Sequence, residues 1–345
     1  MNRQNKLKYV IKLIVAYCLY LTGILYICKM IWLKNKAIVL MYHRVLSGPE
    51  KRKSFSHDGI IVDKNTFEKQ IRFLKKTFNV LSLDEFHNRI QIRKPFERYS
   101  CLITFDDGWR DNFTHAYPVL KKYKLPAVIF LPVDYIGKNN QFWQEKLIGL
   151  LYSVYHSKKP DVQELINKYN LKEVFKHSDG ELRLNIHEFV SQKKSESLDN
   201  IEKIISDISI NLGPPASAKN NIDTFLDWDQ VEHMAKDGIS FGSHGVNHKI
   251  LTKISLDEVT NEIKQSKIKI ENQLDSTASS FTYPNGDYSE SIVNQVRANG
   301  YQLAFSTENG FVTSSDNPFT LKRINIHNDI SQNVPMFMMR ILGIF

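Results

Sequence analysis

The chain has 345 residues, 42% of them hydrophobic, and a formal net charge of +9. That length suits one large catalytic domain, and that apolar share excludes wholesale disorder. Net basicity can mark a nucleic-acid binder, but its placement excludes that class. Arg3, Lys6, Lys8, Lys12, Lys29, Lys34 and Lys36 precede residue 37 with no acid among them, and the remaining 39 basic residues balance 37 acidic ones.

Residues 1–36 read as a membrane anchor with basic flanks. Leu13–Cys28 is uncharged and almost wholly apolar or aromatic. It is short, since roughly 20 residues cross the hydrocarbon core. Lys12 and Lys29 extend it from Tyr9 to about Leu33 if their amines snorkel to the two interfaces, where Tyr9, Tyr26 and Trp32 also belong. The basic head predicts a cytoplasmic N-terminus, hence a single-pass protein of the cell membrane with an extracytoplasmic catalytic domain. A cleaved signal peptide is the rival reading, but no small-x-small site follows the run. Cys18 and Cys28 lie here and Cys101 in a later apolar run, so cysteine encodes no disulfide framework.

Beyond residue 36, strands and helices alternate. Ala37–Tyr42 is a continuous apolar run, as in a strand buried on both faces. Phe67, Ile71, Leu74 and Phe78 recur at helical spacing, and Ser82–Glu85 has the form of a capping box. Cys101–Phe105 is a strand, Arg110–Tyr123 is helical and Ala127–Leu131 is a further buried strand. Residues 136–226 break the rhythm: they are polar, lysine-rich and helical over Glu145–Tyr155, Asp161–Tyr169 and Ser197–Leu212, with Gly213-Pro214-Pro215 marking the return. This predicts a mainly helical insertion beside or over the mouth of a site, in preference to a separate folded domain. Asp229–Lys236 (helix), Ile239–Gly242 (strand), Leu256–Leu274 (helix), Phe281–Tyr283 (strand), Ser289–Ala298 (helix), Tyr301–Phe305 and Leu321–Ile326 (strands) follow. The alternation predicts an α/β fold with a mainly parallel sheet or barrel. The apolar residues 333–345 are expected to pack on it.

Asp106, His244, Pro284 and His327 all fall just after strand-like runs, where parallel barrels collect functional residues. Asp106 and Asp107 are adjacent, and Gly108 allows a sharp turn that lets both reach one cavity. His244 and His248 are four apart, so both imidazoles can grip one ion if the second begins a helical turn. One carboxylate and two imidazoles leave a divalent ion open positions for water, and the second carboxylate is then available as a base. The pattern predicts a metal-assisted hydrolase. Trp109 is a candidate for stacking on a substrate ring, and His43 is a candidate substrate contact or structural residue.

Thr104-Phe-Asp-Asp-Gly108, Ser243-His-Gly-Val-Asn-His248 and Phe281-Thr-Tyr-Pro-Asn-Gly286, in that order, resemble three motifs of the polysaccharide deacetylase family, the carbohydrate esterases with a NodB-homology domain. Leu40-Met-Tyr-His-Arg-Val45 further resembles the branch acting on poly-N-acetylglucosamine. The resemblance implies a distorted (β/α) barrel of about seven strands over residues 37–332, interrupted by the insertion. It implies that Asp107, His244 and His248 hold one divalent ion, most often Zn2+ though other transition metals serve, and that Asp106 is the general base. Tyr283 would offer its backbone N–H to an oxyanion, Pro284 and Gly286 would shape the sugar groove, and His327 would be the general acid. The implied substrate is an acetylated polysaccharide or lipid-linked glycan. Three departures stand out: Gly245 replaces a Ser or Thr that steadies the histidine loop, Ser279 and Ser280 stand where an Arg orients the base, and no late Asp-Trp motif is present. They keep open a second class, a catalytically weakened glycan-binding or scaffold subunit.

Overall fold

The computed structural model describes residues 3–159, 161–176, 179–214 and 221–344. Among the described residues ten strands form: β1 Ala37–Tyr42, β2 Arg44–Leu46, β3 Ile61–Asp63, β4 Asn79–Val80, β5 Ser100–Phe105, β6 Val128–Leu131, β7 Ser240–Ser243, β8 Ser280–Thr282, β9 Leu303–Phe305 and β10 Ile324–Asn325. Eight make one sheet in the order β10-β1-β5-β6-β7-β8-β9, with β4 beside the start of β5; β2 and β3 pair separately. All the ladders are parallel. β1 and β5 are buried along their whole length, which is why each reads as an unbroken apolar run rather than an alternating one.

The sheet curls into a half-barrel. The segment that ends in β10 begins against the opposite edge: Leu321 N–H donates to Ala304 O (3.0 Å) and Ser306 N–H to Leu321 O (2.9 Å), while Ile326 N–H donates to Met41 O (2.9 Å). Helices cover the curl. Lys64–Thr77 is capped by Asp63, which accepts from the Asn65 and Thr66 amides, and it buries Phe67, Ile71 and Leu74. Each such side chain contributes roughly 1.5–3 kcal/mol on burial. The Ser82/Glu85 capping box forms as its sequence predicts, and Leu256–Leu274 is a single helix opened by a Ser255/Glu258 box. The C-terminal helix Val334–Ile341 is buried along Met336–Met339 and packs on the rest of this unit, as expected for the apolar tail; Phe345 lies outside the described residues.

The chain divides into two compact units, and the second comprises Pro49–His57 with Asn139–Thr224. It has its own core, including Leu147, Leu150, Leu151, Ile186, Ile201 and Ile208. The predicted helices appear as Trp143–His156, Val162–Lys168 and Leu198–Leu212, joined by Asp179–Lys193, which buries Leu182, Ile186 and Val190 at four-residue steps. Pro215 of the punctuating triplet lies outside the described residues. The sequence does not assign Pro49–His57 to this unit. Polar grips recruit it: Asp223 accepts from Ser54 Oγ (2.7 Å) and Phe55 N–H (2.8 Å), and Arg183 donates to the Ser54 and Ser56 carbonyls (both 2.8 Å).

The N-terminal segment departs from the expected straight span. Among the described residues no single helix is long and apolar enough to cross a membrane; Arg3–Leu21 and Ile24–Trp32 meet at an 80° bend, and only the pair together has the length and composition of a span. Nor does Lys29 reach for an interface: it is 6% exposed, with its ammonium donating to Thr77 O (3.2 Å) and 4.1 Å from the centre of the Tyr99 ring.

Candidate active site

Register places the site. Tyr42 pairs with Phe105, so His43 and Asp106 leave adjacent strands at one level, and Asp106 N–H donates to Tyr42 O (2.9 Å). Met41 pairs with Asn325, so His327 leaves β10 level with His43. His244 follows β7, where Leu131 pairs with Ser243, and its amide donates to Leu131 O (2.9 Å). Asp107 then turns with φ 73° and Gly108 with φ 60°. Left-handed backbone costs most L-residues roughly 1–2 kcal/mol, least at Asp and Gly. A Cβ at position 108 would also stand 2.9 Å from Leu131 Cδ2. This turn lets neighbouring carboxylates serve different partners.

Asp107 Oδ1 lies 3.5 Å from His244 Nε2 and 3.3 Å from His248 Nε2, and the three ligand atoms fall within 4.8 Å of one another. Bonds of about 2.0–2.1 Å at a tetrahedral angle put neighbouring donors about 3.3 Å apart, so the donor set fits a zinc-sized ion. The outer faces of these candidate ligands are tied down. Trp109 Nε1 donates to Asp107 Oδ2 (2.9 Å), and His244 Nδ1 meets Thr282 O (2.9 Å) and Thr282 Oγ1 (2.6 Å). A proton held on Nδ1 by that carbonyl leaves the Nε2 lone pair for an ion. Burial alone would raise the Asp107 carboxyl, but hydrogen bonds from His244 and His248 outweigh it and hold it well below the usual range. Burial would likewise lower His244, yet the Asp107 hydrogen bond and the Asp106 and Asp107 charges raise it. A proton on that imidazole competes with a metal ion. Zn2+ affinity is therefore expected to fall about tenfold per pH unit once pH drops below the raised His244 pKa, as isothermal titration between about pH 8 and pH 5.5 would record.

Asp106 serves a different partner. Arg323, fully buried, grips it with two parallel bonds, Nη1–Oδ1 and Nη2–Oδ2, both 2.7 Å, and is itself fixed by Nε donating to Ser306 O (2.9 Å). Burial pushes the Asp106 carboxyl up, but the Arg323 and His244 charges win, and it stays ionised below its ordinary range. Ser279 and Ser280 stand where the family pattern places an arginine before the third motif; here the arginine comes from the segment leading into β10.

The histidine loop is neither a helix nor a single helical turn. Gly245 has φ 81° and His248 φ 54°, and the loop between them is held by a residue the sequence reading passed over. Glu262, 2% exposed on the helix Leu256–Leu274, accepts from Val246 N–H (2.7 Å) and Asn247 N–H (2.9 Å) through one carboxylate oxygen. A Cβ at position 245 would come 2.8 Å from that same oxygen. Gly245 therefore leaves room for the carboxylate that steadies the loop, the role the family pattern gives to a hydroxyl. Glu262→Ala is expected to weaken metal binding and kcat/KM about ten- to hundredfold, as losing the support of a ligand does. Glu262→Gln, which keeps an acceptor for both amides, should recover most of the loss in the same assays.

The family described as Polysaccharide deacetylase matches residues 93–304, more than half of the chain. The chain belongs to the polysaccharide deacetylase family. The deacetylase is 25% identical over 306 residues to YxkH of Bacillus subtilis (strain 168), a protein named for the same family, covering 87% of this chain and 76% of that one. It is 28% identical over 238 residues to the poly-beta-1,6-N-acetyl-D-glucosamine N-deacetylase of Staphylococcus epidermidis, covering 62% and 74%. Its fold matches the Streptococcus pyogenes deacetylase PplD in complex with acetate, with a TM-score of 0.56 and 21% identity over 86% of this chain and 95% of that one. IcaB from Ammonifex degensii also has a TM-score of 0.56, with 16% identity over 89% and 97%.

Other predicted site residues of the deacetylase fare differently. Trp109 does not offer a ring to a sugar: it is 1% exposed, stacked on Phe225 with ring centres 4.6 Å apart, while the Arg44 guanidinium lies 4.2 Å from the indole. Its indole N–H instead positions Asp107. Tyr283 N–H is committed to Phe305 O (3.3 Å) and Tyr283 OH to Phe319 O (2.9 Å), so the amide is not open to an oxyanion. Pro284 is buried, and Gly286 has φ 85° with a Cβ excluded by Thr307 Oγ1 at 1.9 Å; this turn packs on the loop that follows β9. His43 sits within the field of Asp107, Asp106, Arg323 and His244, and its buried Nδ1 has no hydrogen-bond partner among the described residues. Burial outweighs the carboxylates there and keeps its imidazole neutral. His327 precedes the short helix Asn328–Ser331 and accepts at its carbonyl from Ser331 Oγ (2.6 Å).

Proposed function

We propose that the chain is a metal-dependent hydrolase that removes N-acetyl groups from N-acetylhexosamine units of an extracytoplasmic polysaccharide, attached to the cell membrane by its N-terminal segment. One observation carries the chemistry: Asp107 Oδ1 and both imidazole Nε2 atoms stand at metal-ligand spacing beside a second carboxylate that an arginine keeps ionised. An exopolysaccharide of N-acetylhexosamine is the first substrate choice, because the Staphylococcus epidermidis relative is named for poly-beta-1,6-N-acetyl-D-glucosamine. Peptidoglycan or chitin-like oligomers come next, then removal of O-acetyl or N-formyl groups.

A bound divalent ion would polarise the acetyl carbonyl and activate water at neutral pH. Asp107, His244 and His248 would hold it. Asp106 takes a proton from the attacking water, and Arg323 keeps its carboxylate aimed and charged for that step. The C–N bond then breaks, acetate leaves, and His327 gives a proton to the departing amine. His43 suits a substrate contact better than this role, since a neutral imidazole has no proton to spare.

The purified full chain is to be incubated with a panel of acetylated glycans, with chelator and with metal restored. Acetate release that a chelator stops and Zn2+ or another divalent ion restores is the expected result. Metal uptake with no acetate from any glycan would favour a glycan-binding or scaffold subunit instead.

A further inference from the structure

We propose that residues 3–36 fasten the catalytic unit to an anionic lipid bilayer by lying within one leaflet, so that both ends of the chain stay on the same side of the membrane. The inference rests on the membrane attachment just proposed and not on the catalytic reading.

The bend has local causes. Gly23 takes φ 78°, which ends the first helix, and Thr22 Oγ1 turns back onto Cys18 O (2.7 Å). Across the corner, Tyr26 OH donates to Tyr20 OH (3.1 Å). Beyond it the helix Ile24–Trp32 has nine residues, about 14 Å, half of the roughly 30 Å hydrocarbon core. That helix is also pinned. Lys29 lies in an aromatic cage of Tyr26, Phe78 and Tyr99, 5.8, 5.1 and 4.1 Å from the ring centres, and donates to the Thr77 carbonyl at the C-terminal end of the helix Lys64–Thr77. A lysine held there, on the flank of a folded unit, cannot mark the far edge of a span. The first helix packs along Val334–Ile341, burying Ala16.

The other faces say what covers them. Leu7, Ile11, Ile14, Leu21, Ile27 and Ile31 are between 52% and 78% exposed, a concentration of bare aliphatic side chains in one short segment. Lys8, Lys12 and Lys34 are exposed beside them, and the first 36 residues contain no acid. Apolar faces edged by cations match the boundary between acyl chains and anionic headgroups.

The test uses the full chain with a protease-cleavable tag at each end. In intact cells both tags should be cut from outside. Both protected in intact cells but both cut in inside-out vesicles would keep the in-plane arrangement and overturn the extracytoplasmic location. One tag cut and the other protected would establish a crossing helix and overturn the inference, as would a mature chain lacking its N-terminal tag. In flotation, the purified chain should bind vesicles containing phosphatidylglycerol at least about tenfold more tightly than phosphatidylcholine alone. The double variant Ile11→Glu, Ile27→Glu should lose at least about tenfold of that binding while its circular dichroism and denaturant unfolding match the parent's. Equal binding to both vesicles, or no loss in the variant, would overturn it.

Discussion

Asp107→Asn is expected to abolish tight metal binding and to lower acetate release at least about a thousandfold, with the fold retained. Losing only the support of a ligand costs ten- to hundredfold, and here the anionic ligand itself goes. The asparagine keeps a carbonyl oxygen for Trp109 Nε1, which bonds Asp107 Oδ2 at 2.9 Å, so no buried indole N–H is left unsatisfied. Asp107→Ala removes that acceptor too and should add about 1–3 kcal/mol of destabilisation, which denaturant unfolding of the two variants would separate from the metal effect. The His244 imidazole reports the same change independently. The Asp107 hydrogen bond is the largest influence raising its basicity against burial, so its pKa should fall in either variant, as titration of its ring protons would show. A variant that stays folded, binds no metal and still releases acetate at the parent rate would remove this cluster from the chemistry.

What the sequence disclosed follows from the range of each interaction. β1 and β5 are covered on both faces, so they appear as apolar runs, and the acids and histidines that end such strands stand out against them. Arg323 could not be found that way. It meets Asp106 from 217 positions away, and a single arginine in Leu-Lys-Arg-Ile carries no periodic mark. Ser280 is fully buried, and its Oγ lies close enough to Gly242 to exclude a Cβ there, at 2.5 Å. Glu262 is hidden inside a helix with many charged residues. Yet Val259, Glu262, Ile263, Ser266 and Ile270 form its buried stripe, and an acid and a serine on an apolar stripe are the trace that could have exposed the clamp. The histidine spacing suggested a helical turn, but Gly245 and His248 both take positive φ, a conformation that spacing alone does not encode. At the N-terminus the unbroken hydropathy concealed a corner, because Thr22 and Gly23 count as ordinary residues in a span and as a break once Lys29 is fastened elsewhere.

Arg323→Ala tests whether the arginine tunes Asp106, the proposed base, or merely fills space. It leaves the Asp106 carboxylate buried beside no guanidinium, and breaking a buried pair from one side costs about 3–5 kcal/mol. The sign with pH separates this from a packing defect. In the parent, Asp106 lies below its ordinary pKa, so the pair's stabilisation is complete above the unfolded carboxylate range near about pH 4 and is lost as pH falls through the folded value. In the variant, burial acts with one large opposing charge removed, and the folded pKa rises. The stability gap between the two proteins should therefore be widest at neutral pH and narrow under acid, whereas a cavity would cost the same at every pH. Activity should move in step: the acid limb of kcat/KM shifts to higher pH, because more alkali is needed to ionise the base. Arg323→Lys restores a charge but not the fork that reaches both carboxylate oxygens and the Ser306 carbonyl, so it should recover part of the stability and leave the limb displaced. An unmoved acid limb in both variants would show that Arg323 supports the fold without governing Asp106.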